Sequence, residues 1–201
     1  MRLEVKAKNF GKKAVLRDVV LDLAPGSFTV ITGPSGAGKT TLLRIIAGLD
    51  REFSGEISGA GRLGVVFQEP RLLPWMTVRE NIEIVGGQEV EDALSAVGLA
   101  GEENTYPRAL SLGMARRAAL ARALSISPDT LLLDEPFVSL DEPTAEGMRK
   151  LVTRLWRERG FTCVLVTHAV AADRVAAQRL IRIEGAPAAV TEDIRFSTSS
   201  P

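Results

Sequence analysis

Residues 33–40, GPSGAGKT, hold two glycines separated by four residues, with a lysine and a hydroxyl directly after the second. These types at this spacing suit phosphate. The glycines let backbone amides turn inward around a β-phosphate, Lys39 brings a point charge to the β and γ oxygens, and the Thr40 hydroxyl can ligate Mg²⁺. The loop follows the β-rich run SFTVIT and precedes KTTLLRIIAGL, whose apolar spacing suits a helix. Nucleotide binding by Gly33, Pro34, Ser35, Gly36, Ala37, Gly38, Lys39, Thr40 and Thr41 is the first expectation.

Three further groups could complete phosphate chemistry. LLLDEP (residues 131–136) reads as a buried strand that ends in a carboxylate, so Asp134 would hold the metal shell and Glu135 would be the candidate general base. The competing reading of Glu135 is a solvated loop acid. His168, the single histidine, follows the apolar run FTCVLVT; there it could hydrogen-bond a γ-phosphate oxygen, or serve merely as a cap or polar neighbour. Gln68 ends LGVVFQ, where its amide could bind Mg²⁺ or the attacking water on a loop that moves with nucleotide state; the alternative is an ordinary strand-ending polar residue.

A second anion site is written into ALSLGMARRAALARAL, residues 109–124. Ser111 and Gly113 sit where a loop becomes a helix, and exposed amides at a helix N-terminus attract anions. Arg116, Arg117 and Arg122 lie beyond the first turn, so they are expected to be solvated or paired on the helix face. Downstream of Gln68, the apolar residues Leu72, Leu73, Trp75 and Met76 need a cover, from this chain's own core or from a partner's helix.

The elements that must position these groups follow an α/β pattern. RLEVKAK alternates with period two, VLRDVVLDLA does so more loosely, and SGEISG and RLGVVF read as short strands. TVRENIEI, EVEDALSAV and SLGMARRAALARAL read as helices, a candidate helical insertion over about 72–125. TLLLD and FTCVLVT are continuous apolar runs suited to a parallel sheet covered on both faces, with PTAEGMRKLVTRLWRERG as the crossover helix between them. After RLIRIEG, residues 186–201 lack any period and read as an unstructured tail.

Composition bounds the partners. The chain has 201 residues, 25 basic and 25 acidic side chains, and no apolar run long enough to span a bilayer. Zero net charge gives no general attraction to nucleic acid. Cys163, alone, suits a reducing compartment and buried packing.

The ordered set GPSGAGKT, Gln68, LSLGM, LLLDEP, Ser139-Leu140-Asp141 and His168 resembles the nucleotide-binding subunit of an ABC transporter over nearly the whole chain. The segment FQEPRLLPW resembles the subfamily importing nitrate, taurine and aliphatic sulfonates. The resemblance implies a P-loop NTPase fold over residues 1–185, with a mostly parallel core sheet, an N-terminal antiparallel β subdomain and an inserted helical subdomain. It implies ATP and Mg²⁺, the metal held by Thr40, Gln68 and Asp134. It implies a head-to-tail dimer in which Ser111 and Gly113 face the partner's γ-phosphate, Asp141 lies at the seam, and Phe10 stacks on adenine unless it is a core residue. Implied partners are integral membrane permease subunits and, through them, a solute-binding protein, with the chain peripheral on the cytoplasmic face of the inner membrane. No regulatory C-terminal domain is expected. The alternative is an ABC-type ATPase switch acting on nucleic acid or ribosomes, against which the absence of coiled coils and of a second cassette counts. One departure stands out: Leu112 replaces the first glycine of the family's LSGGQ or LSGGM signature. A leucine resists positive φ, but the serine and the second glycine are kept, so a working but weaker dimer closure is expected.

Overall fold

The computed structural model describes residues 1–169 and 176–196. In chain order the strands are β1 (Arg2–Phe10), β2 (Lys13–Asp22), β3 (Phe28–Thr32), β4 (Ser54–Ser58), β5 (Leu63–Val66), β6 (Thr130–Asp134), β7 (Thr162–Val166), β8 (Arg179–Gly185) and β9 (Ala188–Arg195). The α-helices are α1 (Lys39–Ile46), α2 (Val78–Glu83), α3 (Val90–Ala96), α4 (Leu112–Leu124) and α5 (Glu142–Arg159). The continuous apolar runs became strands buried at every residue: FTVIT in β3, TLLLD in β6 and TCVLV in β7. Such strands need cover on both faces, which a parallel sheet flanked by helices supplies.

The chain divides into two compact units, Met1–Gly61 with Phe161–Pro201, and Arg62–Gly160. In the first, the strands run in the order β4, β1, β2, β9, β8, β3, β7. β3 is parallel to both β7 and β8, whereas β1 pairs antiparallel with β2 and β4. The N-terminal antiparallel ribbon and the parallel core expected from the sequence are therefore both present. Leu3 and Val5 in β1, and Val19 and Leu21 in β2, alternate inward with period two, while Leu16 is buried three residues before Val19, across the positive φ of Asp18.

In the second unit β5 is parallel to β6, and α4 packs against β5, α3 and α2. Helix α5 buries Ala145, Met148, Leu151, Val152 and Leu155, the spacing of one helical face. Asp141 caps its start and Gly160, in the left-handed conformation at φ 70°, ends it.

One expectation is overturned. Within the supposedly unstructured tail, Ala188–Arg195 forms β9, paired antiparallel with β8 from Gly185↔Ala188 to Arg179↔Arg195. Most of β9 is exposed, so it carries no apolar period to read. Backbone pairing holds it, with a two-pronged ion pair from Arg179 to both Asp193 carboxylate oxygens at 2.7 Å. Residues 197–201 of that tail lie outside the described residues.

Candidate active site

The phosphate loop leaves β3 at Gly33, where a Cβ would stand 2.1 Å from the backbone oxygen of Ile183 in β8. No side chain fits between loop and strand, so this glycine is required by close approach. The lysine side chain folds back over the loop it follows: Lys39 Nζ donates to the carbonyls of Gly33 at 2.8 Å and Pro34 at 3.0 Å. Gly38 is the N-cap of α1 in the left-handed conformation and offers no side-chain acceptor to the first-turn amides. Thr40 is exposed and Thr41 half-buried on that first turn.

His168 reaches the same edge of the sheet. β3 and β7 are in register at Ile31↔Val166, and the Thr167 amide donates to the Ile31 carbonyl at 3.1 Å. The chain therefore leaves β7 beside the start of the phosphate loop, with His168 exposed. Phe10 ends β1 and is 54% exposed, which rejects the core reading. Its ring centroid lies 4.5 Å from the ammonium of Lys8, a fully buried cation that also donates to Asp50 Oδ1 at 2.6 Å and the Glu52 carbonyl at 2.8 Å. Lys8 holds the Asp50 carboxyl below its ordinary range, chiefly through that hydrogen bond.

In the second unit the register Val66↔Leu133 brings the chain beyond β5 alongside the end of β6. Asp134, buried, and Glu135 therefore share a carboxyl edge with Gln68, which lies exposed two residues past its strand. Glu135 has φ 46°, a left-handed conformation that costs a non-glycine residue about 1 kcal/mol or more. Backbone strain of this kind is typical of functional turns.

Ser111 and Asp141 are the N-caps of α4 and α5. Ser111 Oγ accepts from the Met114 amide at 3.2 Å, and Asp141 Oδ1 accepts from the Thr144 amide at 3.0 Å. The bonds from Thr144 hold the Asp141 carboxyl below its ordinary range. The two helix starts touch: a Cβ on Gly113 would meet Thr144 Cγ2 at 3.0 Å. Gly113 is thus set by proximity, since its φ is not positive. Leu112 is the first residue of α4, 43% exposed, and is absent from the positive-φ positions. The strain expected of it does not arise, because the helix has already begun where it stands.

Electrostatics single out two of the five described α-helices. α2, α3 and α5 carry acidic residues in their first turns, whereas α1 and α4 carry none. A first-turn carboxylate normally stabilises the helix and occupies its positive end. The two helices without one follow the phosphate loop and the signature segment, and their amide ends suit an external anion.

The α4 arginines depart from expectation. Arg117 donates to the Val97 carbonyl at 3.0 Å, and Arg122 to the carbonyls of Arg71 at 2.8 Å and Pro70 at 2.9 Å. Arg116 is buried and donates to the Pro136 carbonyl. They clamp backbone carbonyls of loops, a role that side-chain type alone does not reveal. Asn81 was not legible as a site residue either. Fully buried, it donates to the carbonyls of Leu73, Met76 and Thr77 and accepts from the Leu73 amide at 2.7 Å. That brace tucks Leu72, Leu73 and Met76 into partial burial and leaves Trp75 69% exposed. The unit thus covers most of that apolar cluster itself.

Phe10, the phosphate loop and His168 lie in one unit; Gln68, Asp134, Glu135, Ser111, Gly113 and Asp141 lie in the other. Among the described residues no cluster of three or more His, Cys, Asp or Glu could hold a metal unaided, and no helix is long and apolar enough to cross a membrane.

Comparison with known proteins agrees with this layout. The family pattern described as ABC transporter matches residues 16–138. The chain is 42% identical to the aliphatic sulfonates import ATP-binding protein SsuB of Bacillus licheniformis, covering 93% of this chain and 81% of that protein. It is 39% identical to a protein of the same name from Xanthomonas axonopodis pv. citri, covering 100% of this chain and 87% of the other. Among solved structures, a dimeric bacterial ABC transporter cassette superposes with TM-score 0.81 at 30% identity, over 96% of this chain and 97% of that one. The same cassette in a dimeric post-hydrolysis state bound to ADP and Pi superposes with TM-score 0.80. A match that runs through GPSGAGKT, LSLGM and the Asp134 strand, with identity extending along nearly the whole length, establishes that the chain belongs to the ABC transporter family as one of its ATP-binding, ATP-hydrolysing subunits.

Proposed function

We propose that two copies of this chain close head to tail around two ATP molecules and thereby drive permease subunits that import an aliphatic sulfonate. The observation that carries this reading is the pair of acid-free helix starts on one chain, α1 and α4. One polyanion needs only one such end, so the second serves the nucleotide of another copy. Dimeric relatives and the names of the import proteins support the arrangement.

At each site the loop from Gly33 to Thr41 cradles the phosphates, Phe10 stacks on adenine, and the neighbour's Ser111 and Gly113 donate to the γ-phosphate, with Asp141 at the seam. Thr40, Gln68 and Asp134 would hold Mg²⁺: one hydroxyl, one amide oxygen and one buried carboxylate leave room for phosphate oxygens and water, a hard-oxygen set that suits this ion and the charge neutralisation it supplies. Glu135 takes a proton from water as the oxygen–phosphorus bond forms and the bond to the bridging oxygen breaks, giving ADP and phosphate. His168 donates to a γ-phosphate oxygen, and Gln68 orients the water on a loop that moves with nucleotide state. Loss of phosphate removes the shared charge and the copies part.

The chain acts as a peripheral subunit on the cytoplasmic face of the inner membrane, and a solute-binding protein delivers cargo to the permease. Trp75, 69% exposed in the segment that follows Gln68, supports a permease contact there. No observation favours a switch on nucleic acid or ribosomes. The test is Glu135→Gln: turnover should vanish while ATP accumulates a dimer visible by gel filtration. Native-rate hydrolysis by this variant removes Glu135 as the base.

A further inference from the structure

We infer that Arg116 is a positioning residue for Glu135, binding the strained turn that carries the base to the helix that carries the signature segment. The inference rests on the reading of Glu135 as the base and of α4 as facing the partner's nucleotide. Arg116 is 4% exposed, and its Nη1 donates to the carbonyl of Pro136, the residue directly after Glu135. Its Nε is buried without a hydrogen-bond partner, and among the described residues no carboxylate pairs with the guanidinium. Burial holds the guanidinium below its ordinary pKa, yet arginine remains charged. A buried cation supported by a neutral carbonyl is a poor stabilising device, since hydrophobic replacements of such groups are often neutral or better. It is a good geometric one.

The turn it grips also meets the Arg149 guanidinium, 5.5 Å from the Phe137 ring centroid, and its backbone is strained. Glu135 and Ser139 both have positive φ, at 46° and 63°. The turn's own backbone bonds are long, Val138 N to Glu135 O at 3.3 Å and Leu140 N to Phe137 O at 3.4 Å. Arg116 lies one turn inside α4 from Ser111, Leu112 and Gly113. A shift of that helix start when it meets the partner's γ-phosphate is therefore carried by one side chain to the carbonyl next to Glu135. Closure on one nucleotide and alignment of the base for the other become a single event, which links the two sites of a dimer.

The experiment is steady-state ATPase of the purified full-length chain over a range of ATP concentration, for wild type, Arg116→Met, Arg116→Lys and Arg117→Met. Arg117 is the control because it grips Val97, remote in sequence from Glu135, with the same chemistry. Expected for Arg116→Met is a fall in kcat of about tenfold or more with KM little changed, because misplaced reacting groups slow chemistry without touching the phosphate loop. The Hill coefficient should drop to about 1 from a higher wild-type value. Arg116→Lys, which restores a charged donor, should recover part of both, and Arg117→Met should keep the Hill coefficient. The inference is overturned if Arg116→Met retains kcat and cooperativity, if Arg116→Met and Arg117→Met lose both in proportion to their melting temperatures, or if wild type hydrolyses without cooperativity. If Arg116→Met does not fold, Arg116→Lys against Arg116→Gln decides it: the charged donor must outperform the neutral one in kcat. Glu135→Gln in the same assay separates the readings, since activity there refutes the base, whereas an inactive Glu135→Gln beside an unaffected Arg116→Met refutes only the positioning role.

Discussion

Replacing Lys8 by methionine should destabilise the first unit and weaken nucleotide binding through one contact set. The ammonium is buried and bonded to Asp50 Oδ1 at 2.6 Å, the Glu52 carbonyl at 2.8 Å and the Phe10 ring at 4.5 Å. Asp50 keeps only 12% side-chain exposure, so it cannot recover full hydration once its partner is gone. Breaking a buried pair by removing one member costs about 3–5 kcal/mol, and methionine refills most of the lysine stem, so about 3 kcal/mol is expected. For a chain of this size that corresponds to a fall in Tm of about 6–12 °C. The Phe10 ring loses a cation worth about 0.5–1 kcal/mol, so ATP affinity should fall roughly two- to fivefold. Asp50 has its carboxyl lowered from 3.8. Its contribution is therefore complete above about pH 4 and lost as pH falls through the lower folded value, so the gap between wild type and variant must shrink in acid. Calorimetry at pH 7 and across the acid limb, with ATP titrations at neutral pH, measures all three. A Tm difference under about 2 °C at pH 7, below 1 kcal/mol for this chain length, or a gap unchanged on acidification, refutes the reasoning.

Gly33→Ala should abolish ATP binding and lower stability by about 2 kcal/mol or more, because the new methyl meets the Ile183 carbonyl at 2.1 Å and only a backbone shift relieves it; normal binding in a titration would contradict this. Phe10→Ala should weaken ATP by about tenfold, the scale of one lost base–aromatic stack, with the melting temperature lowered by only about 1–4 °C, since the ring is already exposed and gives up chiefly its contact with Lys8. An unchanged dissociation constant would show that the ring does not meet adenine. Leu112→Gly should lower thermal stability slightly, by no more than about 1 kcal/mol of lost helix propensity. A rise in melting temperature would reveal strain that the helical backbone at Leu112 does not display.

What the sequence disclosed was whatever depends on neighbours along the chain. β3, β6 and β7 were legible because strands buried on both faces are written as unbroken apolar runs, and the phosphate loop and Asp134 because each sits at the end of one. Edge adjacency followed as well: parallel register brings Gln68 beside Asp134 and His168 beside Gly33 without further information. Lys8 was hidden by irregular pairing, as β1 shifts register between Lys8 and Asn9 against β2, and between Val5 and Ala7 against β4. Those shifts change which face an odd or even position meets. Strand β9 was hidden because ladder bonds and the Arg179–Asp193 pair hold it, neither of which leaves an apolar period. The α4 arginines were visible, but their acceptors are carbonyls 51 and 52 residues away at Arg71 and Pro70, and 20 residues off on either side at Pro136 and Val97. Leu112 failed for a different reason: the φ assumed for a glycine position belongs to a loop, and here the helix has already started.

Arg122 has a mechanical consequence. Its two bonds to the carbonyls of Pro70 and Arg71 together resist separation by on the order of 3 kcal/mol, the low end for hydrogen bonds from a charged donor. At ordinary temperature the loop and the 13-residue helix α4 therefore travel as one stiff piece, parting on the order of once in a hundred observations. A small load placed on Pro70 and Arg71 has a direct route to α4 through this side chain, and a load that shears both bonds loses that route. The joint behaves as a fuse, rigid within its rating and silent above it, and its rating is set by a single guanidinium.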